Sequence, residues 1–99
     1  MIVVTTTQVR PSVEIPFYLD TTPSLKTAVS EFIDAAARIQ SMSTVVSEDQ
    51  LTNTSVAIYE TQEDLDAVLA DYNTAFPGFF DARQQYCDSM GITLTRVVE

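Results

Sequence analysis

The 99-residue chain contains no histidine and no tryptophan, one cysteine and two glycines. Without histidine there is no imidazole general base and no Ser-His or Cys-His nucleophile pair. Transition-metal sites lose their commonest ligand, so no metal site is expected. Gly78 and Gly91, the only glycines, cannot make a phosphate-cradling loop, and no cofactor is expected. Cys87 alone excludes an internal disulfide and fits a reducing compartment. No apolar run approaches the ~20 residues of a membrane span, and Met1-Ile-Val-Val-Thr has no basic leader character, so a cytoplasmic protein with no membrane partner is expected. Bases are scarce, 5 against 14 acids, for a net charge of −9. Such a surface opposes nucleic acid and anionic lipid, which need basic patches.

An apolar share of 45% is enough for one folded domain, residues 1–99. Period-2 alternation predicts strands at Ile2–Val9, Met42–Glu48, Ser55–Glu60 and Ile92–Val98. Thr52-Asn53-Thr54 is the expected hairpin turn, with Asn53 suited to a left-handed residue. Leu25, Ala28, Val29, Phe32, Ile33, Ala36 and Ile39 recur at helical spacing over about 23–40, after a Thr22 cap and Pro23 at the first helical position. A second helical stretch, 62–90, opens on the capping-box variant Thr61-Gln-Glu-Asp64 and is broken near Pro77-Gly78 into 62–73 and 79–90. Gly91 stands where a left-handed C-cap belongs. The order βαββαβ predicts an α+β, ferredoxin-like fold: a four-stranded antiparallel sheet, strand order 4-1-3-2, with the helices on one face.

Residues 11–20, PSVEIPFYLD, alternate Val13, Ile15 and Phe17 with polar neighbours, and Pro16 confines any strand there to an edge. The segment is expected to be ordered with Phe17 buried, either over its own core or as a partner-crossing arm or lid. On the sheet, Ile2, Val4, Val56, Ile58, Ile92 and Leu94 are expected to meet the helices. That leaves Val3, Thr5, Thr7, Val9, Ala57, Tyr59, Thr93, Thr95 and Val97 on an open face, half apolar and half hydroxyl. Two such faces packed together would make a homodimer through Val3, Val9, Ala57, Tyr59 and Val97. A ligand site is expected between this face and the aromatic segment, using Thr5, Thr7, Tyr59, Phe76, Phe80, Arg83, Thr93, Thr95 and Arg96. It would take a mostly apolar molecule with one oxygen or acidic group. Clustered acids such as Glu63-Asp64-Asp66 read as solvated charge, and Cys87 as a small buried hydrophobe.

This element order, length and open face resemble the dimeric α+β barrel group, which includes antibiotic-biosynthesis-monooxygenase-like and stress-responsive barrel proteins. The chain is also similar to small ferredoxin-like proteins from marine environmental sequences. The resemblance spans nearly the whole chain, as a pattern rather than a motif. It implies binding or oxidation of small hydrophobic molecules between sheet and helices. Catalytic members often rely on a histidine, or on an Asn-Trp-His set in the haem-degrading branch. This chain has neither His nor Trp, so no catalytic residue carries over. Three function classes stay open. The leading one is a non-enzymatic homodimer with an interaction or assembly role. The others are a binder of a small hydrophobic or aromatic ligand, and a cofactor-independent oxygenase- or isomerase-like enzyme.

Overall fold

The computed structural model describes all 99 residues. Four strands, β1 (Ile2–Val9), β2 (Ser41–Val46), β3 (Thr52–Tyr59) and β4 (Thr93–Val98), form one antiparallel sheet. Its order is β2-β3-β1-β4. With helices α1 (Pro23–Ala35), α2 (Gln62–Ala75) and α3 (Phe79–Met90), this is the ferredoxin-like βαββαβ arrangement, the second helical segment being broken at Pro77-Gly78. No helix is long and apolar enough to cross a membrane.

Local chemistry sets the helix ends, with two departures from expectation. Thr61 caps α2 through Oγ1, which accepts from the Asp64 N–H at 3.1 Å. The reciprocal half of the box is absent, because Asp64 Oδ1 instead accepts from Arg38 at 3.0 Å. Thr22 precedes α1 without a side-chain cap bond. Glycines at φ +76 and +72 bracket α3, a conformation that costs any residue with a Cβ. Helix α1 stops at Ala35 rather than near 40: Ala36 turns extended, and Gln40 N–H already bonds the Ile58 carbonyl at 2.8 Å to start β2. Ile39 therefore packs on the core from the connection, not from the helix.

The hairpin turn lies earlier than predicted. Thr52-Asn53-Thr54 belongs to β3, and the loop is 47–51, with Gln50 at φ +62. Asp49 Oδ1 organises it, accepting from Ser47 Oγ at 2.6 Å and from Leu51 N–H at 3.0 Å. Those bonds hold the Asp49 carboxyl below its ordinary range.

The register also corrects the two sheet faces. Val4 pairs with Ala57 and Ile2 with Tyr59, so Ala57 and Tyr59 face the helices with Val4. Val56 and Ile58 instead join Val3 and Thr5 on the open face. Ala57 and Tyr59 are buried in a cluster with Val4, Leu65 and Val68. Apolarity alone favoured Val56 and Ile58 as the inward pair. Pairing decided otherwise, since a strand's alternate residues cannot be chosen independently of its neighbour's.

The 11–20 segment is ordered but is not a strand. It runs irregularly into a 3-10 helix, Tyr18–Thr21. Phe17 is 6% exposed, with the Arg10 guanidinium carbon 4.4 Å from its ring centre. Tyr86 Oη donates to the Pro16 carbonyl at 2.6 Å, and Tyr18 packs against Phe79 and Tyr86. The segment lies over its own core.

Candidate functional site

Only ten residues are buried, because the helices do not close down on the whole sheet. Between them lies a cleft of about 680 Å³. The sheet beneath it is divided along its length. Toward one end the helix-facing residues are apolar: Ile2 and Val4 on β1, Ala57 and Tyr59 on β3. Toward the other they turn polar. One cross-strand row runs Thr44, Ser55, Thr6, Arg96 across β2, β3, β1 and β4. All four line the cleft. Thr44 and Ser55 hydroxyls lie 3.2 Å apart.

The roof is aromatic. Tyr72 on α2 is the hub, with ring centres 4.9 Å from Phe32, 5.3 Å from Phe79 and 5.0 Å from Phe80. Burial pushes its phenol up to about 12, against the opposing pull of Arg83. Burial raises Tyr59 likewise, with Arg96 opposing. Arg83 on α3 lies over Phe79 and Phe80, 5.5 and 5.4 Å from their centres. Its Nε is buried with no hydrogen-bond partner. Burial pushes this guanidinium below its ordinary value.

Of the residues named from sequence, Tyr59, Phe80, Arg83 and Arg96 meet around this cleft. Thr5, Thr7, Thr93 and Thr95 do not. They share the opposite face of the sheet, as the pairings Thr7 with Thr95 and Val9 with Thr93 require. Phe76 lies outside it, in a shallow groove with Leu25, Pro77 and Ala82. The cleft thus lies between the helices and the inner sheet face, not at the open one. Its hydroxyls are Thr6, Thr44 and Ser55, one step out of phase with those expected. Alternation carried the signal: Thr6 and Gln8 share the face of Ile2 and Val4, so polar residues at helix-facing positions mark a wetted floor. Tyr72 was legible only as part of a helical stripe. Of the expected dimer face, Val3, Val9 and Val97 remain on the open side, while Ala57 and Tyr59 are removed from it by their burial.

Two other features are spoken for. Cys87 is fully buried, its Sγ 3.8 Å from Gln8 Oε1, and burial pushes the thiol up. No group of three or more carboxylate or thiol side chains converges anywhere as a metal cage.

No family model and no curated protein matches the chain by sequence. Solved structures do match its fold. A dimeric ferredoxin-like protein from an uncultured marine organism superposes with a TM-score of 0.65 at 10% identity, over 99% of this chain and 92% of that one. An antibiotic biosynthesis monooxygenase-like protein of Deinococcus radiodurans gives 0.62 at 13% identity, over 100% and 90%. SnoaB of Streptomyces nogalater, a cofactor-independent oxygenase, gives 0.61 at 11% identity, over 99% and 89%. At such identities the likeness is one of fold.

Proposed function

We propose that this chain takes up a small, mostly apolar molecule in the cleft between its sheet and helices, as a homodimer joined through the open sheet face. The observation that carries the reading is the cleft: about 680 Å³ left unfilled under an aromatic roof, in the volume range of small-molecule sites. Tyr72, Phe79 and Phe80 supply flat apolar area, while the Thr6, Ser55 and Thr44 row supplies orienting hydroxyls. Assembly and uptake use opposite faces of one sheet, so the interaction role expected from sequence is compatible with a ligand site. Support for the dimer comes from the exposed valines of the open face, Val9 and Val97, and from the dimeric marine neighbour.

Cofactor-independent oxygen chemistry on the bound molecule is the second reading. It is favoured by the likeness to SnoaB and by ionisable groups, Tyr59, Tyr72 and Arg83, lining the cleft. A thermal-shift screen of fatty acids, quinols and small aromatic acids tests uptake. A ligand at 100 times its Kd adds about 2.7 kcal/mol, an easily seen shift for a domain of this size. No stabilisation by any of these classes would reject it. An oxygen electrode run with the hits separates binder from oxygenase.

A further inference from the structure

The irregular segment at 11–20 and helix α1 follow one another and form one wall of the cleft, with Phe17, Leu19, Val29 and Ile33 in its lining. Residues 11–35 are tied lightly to the rest of the fold. None of their backbone groups pairs with the backbone of another element. Every such bond closes a turn or belongs to a helix of the stretch itself. Two side-chain bonds reach it from outside. Arg10, the residue before it, donates to the Ile15 carbonyl at 3.0 Å, and Tyr86 Oη on α3 donates to the Pro16 carbonyl at 2.6 Å. The Lys26–Asp20 ion pair lies wholly within the stretch and joins α1 to the segment before it.

Both ends of the stretch, in contrast, are pinned. Arg10 N–H bonds the Leu51 carbonyl at 2.9 Å, and its guanidinium reaches the Gln50 carbonyl at 2.8 Å. Past the other end, Arg38 pairs with Asp64 at 3.0 Å and Gln40 N–H bonds the Ile58 carbonyl. Just inside these anchors, at Pro11 and at the extended Ala36, the backbone leaves regular structure. Apolar contact holds the stretch down, and it is concentrated. Phe17 and Val29, 6% and 2% exposed, are its only buried residues. Neither belongs to the core cluster of Val4, Ala57, Tyr59, Leu65 and Val68, into which α2 sends two side chains. They face the cleft instead, so the core gives α1 little support from below.

We propose that residues 11–35 are a lid: the irregular segment and α1 swing as one body about Pro11 and Ala36 and open the cleft. The bond from Tyr86 to Pro16 is its latch, and Phe17 and Val29 are the seats that draw it shut. The lid rests on the small-molecule reading above for its purpose, and not for its motion. A stretch with pinned ends, few polar ties and few buried side chains opens at lower cost than the whole fold. Pro16 and Pro23 each fix a φ angle within it, and the Lys26–Asp20 pair couples its two parts, so it moves without coming apart.

Thiol labelling of the native protein with N-ethylmaleimide tests this, the modified peptides being told from that of Cys87 by mass spectrometry. Val29→Cys puts a thiol on the lid's seat, and Val68→Cys puts a matched one in the core under α2. The first should react at least about ten-fold faster than the second, because it needs only the lid to open. Adding Tyr86→Phe should speed the first about five-fold, the worth of one net hydrogen bond, and leave the second unchanged. Ile33→Cys, also on the cleft side of α1, repeats the measurement if Val29→Cys folds poorly. Equal labelling of the lid and core thiols overturns the proposal and leaves the uptake reading standing. So does a Tyr86→Phe effect on both alike. Amide hydrogen exchange in α1 should show a smaller opening constant than the thiol does. Equal constants would mean that the helix unravels instead of swinging, and would overturn the lid. The labelling is read without ligand, so a thermal-shift screen that rejects uptake leaves its outcome intact.

Discussion

Phe17 shows how much one side chain can do where the core is thin. It is 6% exposed, capped by Arg10, and fastens a segment with no regular backbone ladder. Phe17→Ala should lower unfolding free energy by about 3 kcal/mol, measured by urea denaturation, since the irregular segment has little else to fill the space. Three phenols and the thiol give a second residue-scale expectation. Tyr72 is pushed up to about 12, and burial also raises Tyr59, Tyr86 and Cys87 above their ordinary values. Each raised group is neutral in the fold at a pH where the unfolded chain has already ionised it. Their contribution is whole below the unfolded values, near 9 for the thiol and 10 for the phenols, and is lost as pH rises through each raised folded value, about 12 for Tyr72. Melting temperature measured across that range should fall steadily with rising pH. A Tyr72→Phe variant should fall less steeply.

Among the elements, caps give the sharpest contrast. Thr61→Ala should cost about 1 kcal/mol because a real hydrogen bond disappears, whereas Thr22→Ala should cost almost nothing. Paired thermal melts decide it. Both threonines look alike in sequence, each followed by a plausible helix start. What distinguishes them is backbone geometry that residue identity does not encode. The same limit explains the hairpin. Element order, strand order and the Pro77-Gly78 break were legible, because periodicity and breakers are local. The loop at 47–51 was not, because its left-handed residue is Gln50 rather than the Asn53 that turn chemistry favours. Nor was the inward face of β3, where two alternations, Val56-Ile58 and Ala57-Tyr59, are both acceptable and only pairing with β1 chooses. The cleft inherited that choice. Tyr59, Phe80, Arg83 and Arg96 line the cleft, whereas Thr5, Thr7, Thr93 and Thr95 lie on the opposite sheet face.

On the scale of the whole molecule the corrected face sharpens the assembly expectation. With Ile58 and Val56 beside Val3 and Thr5, the open side is more apolar than sequence alone implied. Ile58→Glu should yield a monomer by light scattering while far-UV circular dichroism stays unchanged. A dimer that survives this substitution would place the interface elsewhere. A charge at Ile58 leaves the cleft untouched, so ligand affinity measured on the same variant also tells whether uptake depends on pairing of the subunits.

The pairing of β1 bears on how the chain reaches this structure. β1 is an inner strand, and one of its two partners is β4, so Val4 meets Val98 across almost the entire chain. Closing so long a loop costs entropy before any contact repays it, and folding should be slower than for a helical bundle of equal length. Until that closure, one side of β1 has no partner. Its sequence, Ile-Val-Val-Thr-Thr-Thr-Gln-Val, is rich in β-branched residues and carries no charge. Those properties favour stacking of identical segments from different chains. The net charge of −9, set entirely outside that strand, then acts as a kinetic safeguard: it keeps neighbouring chains apart while the first strand waits for the last.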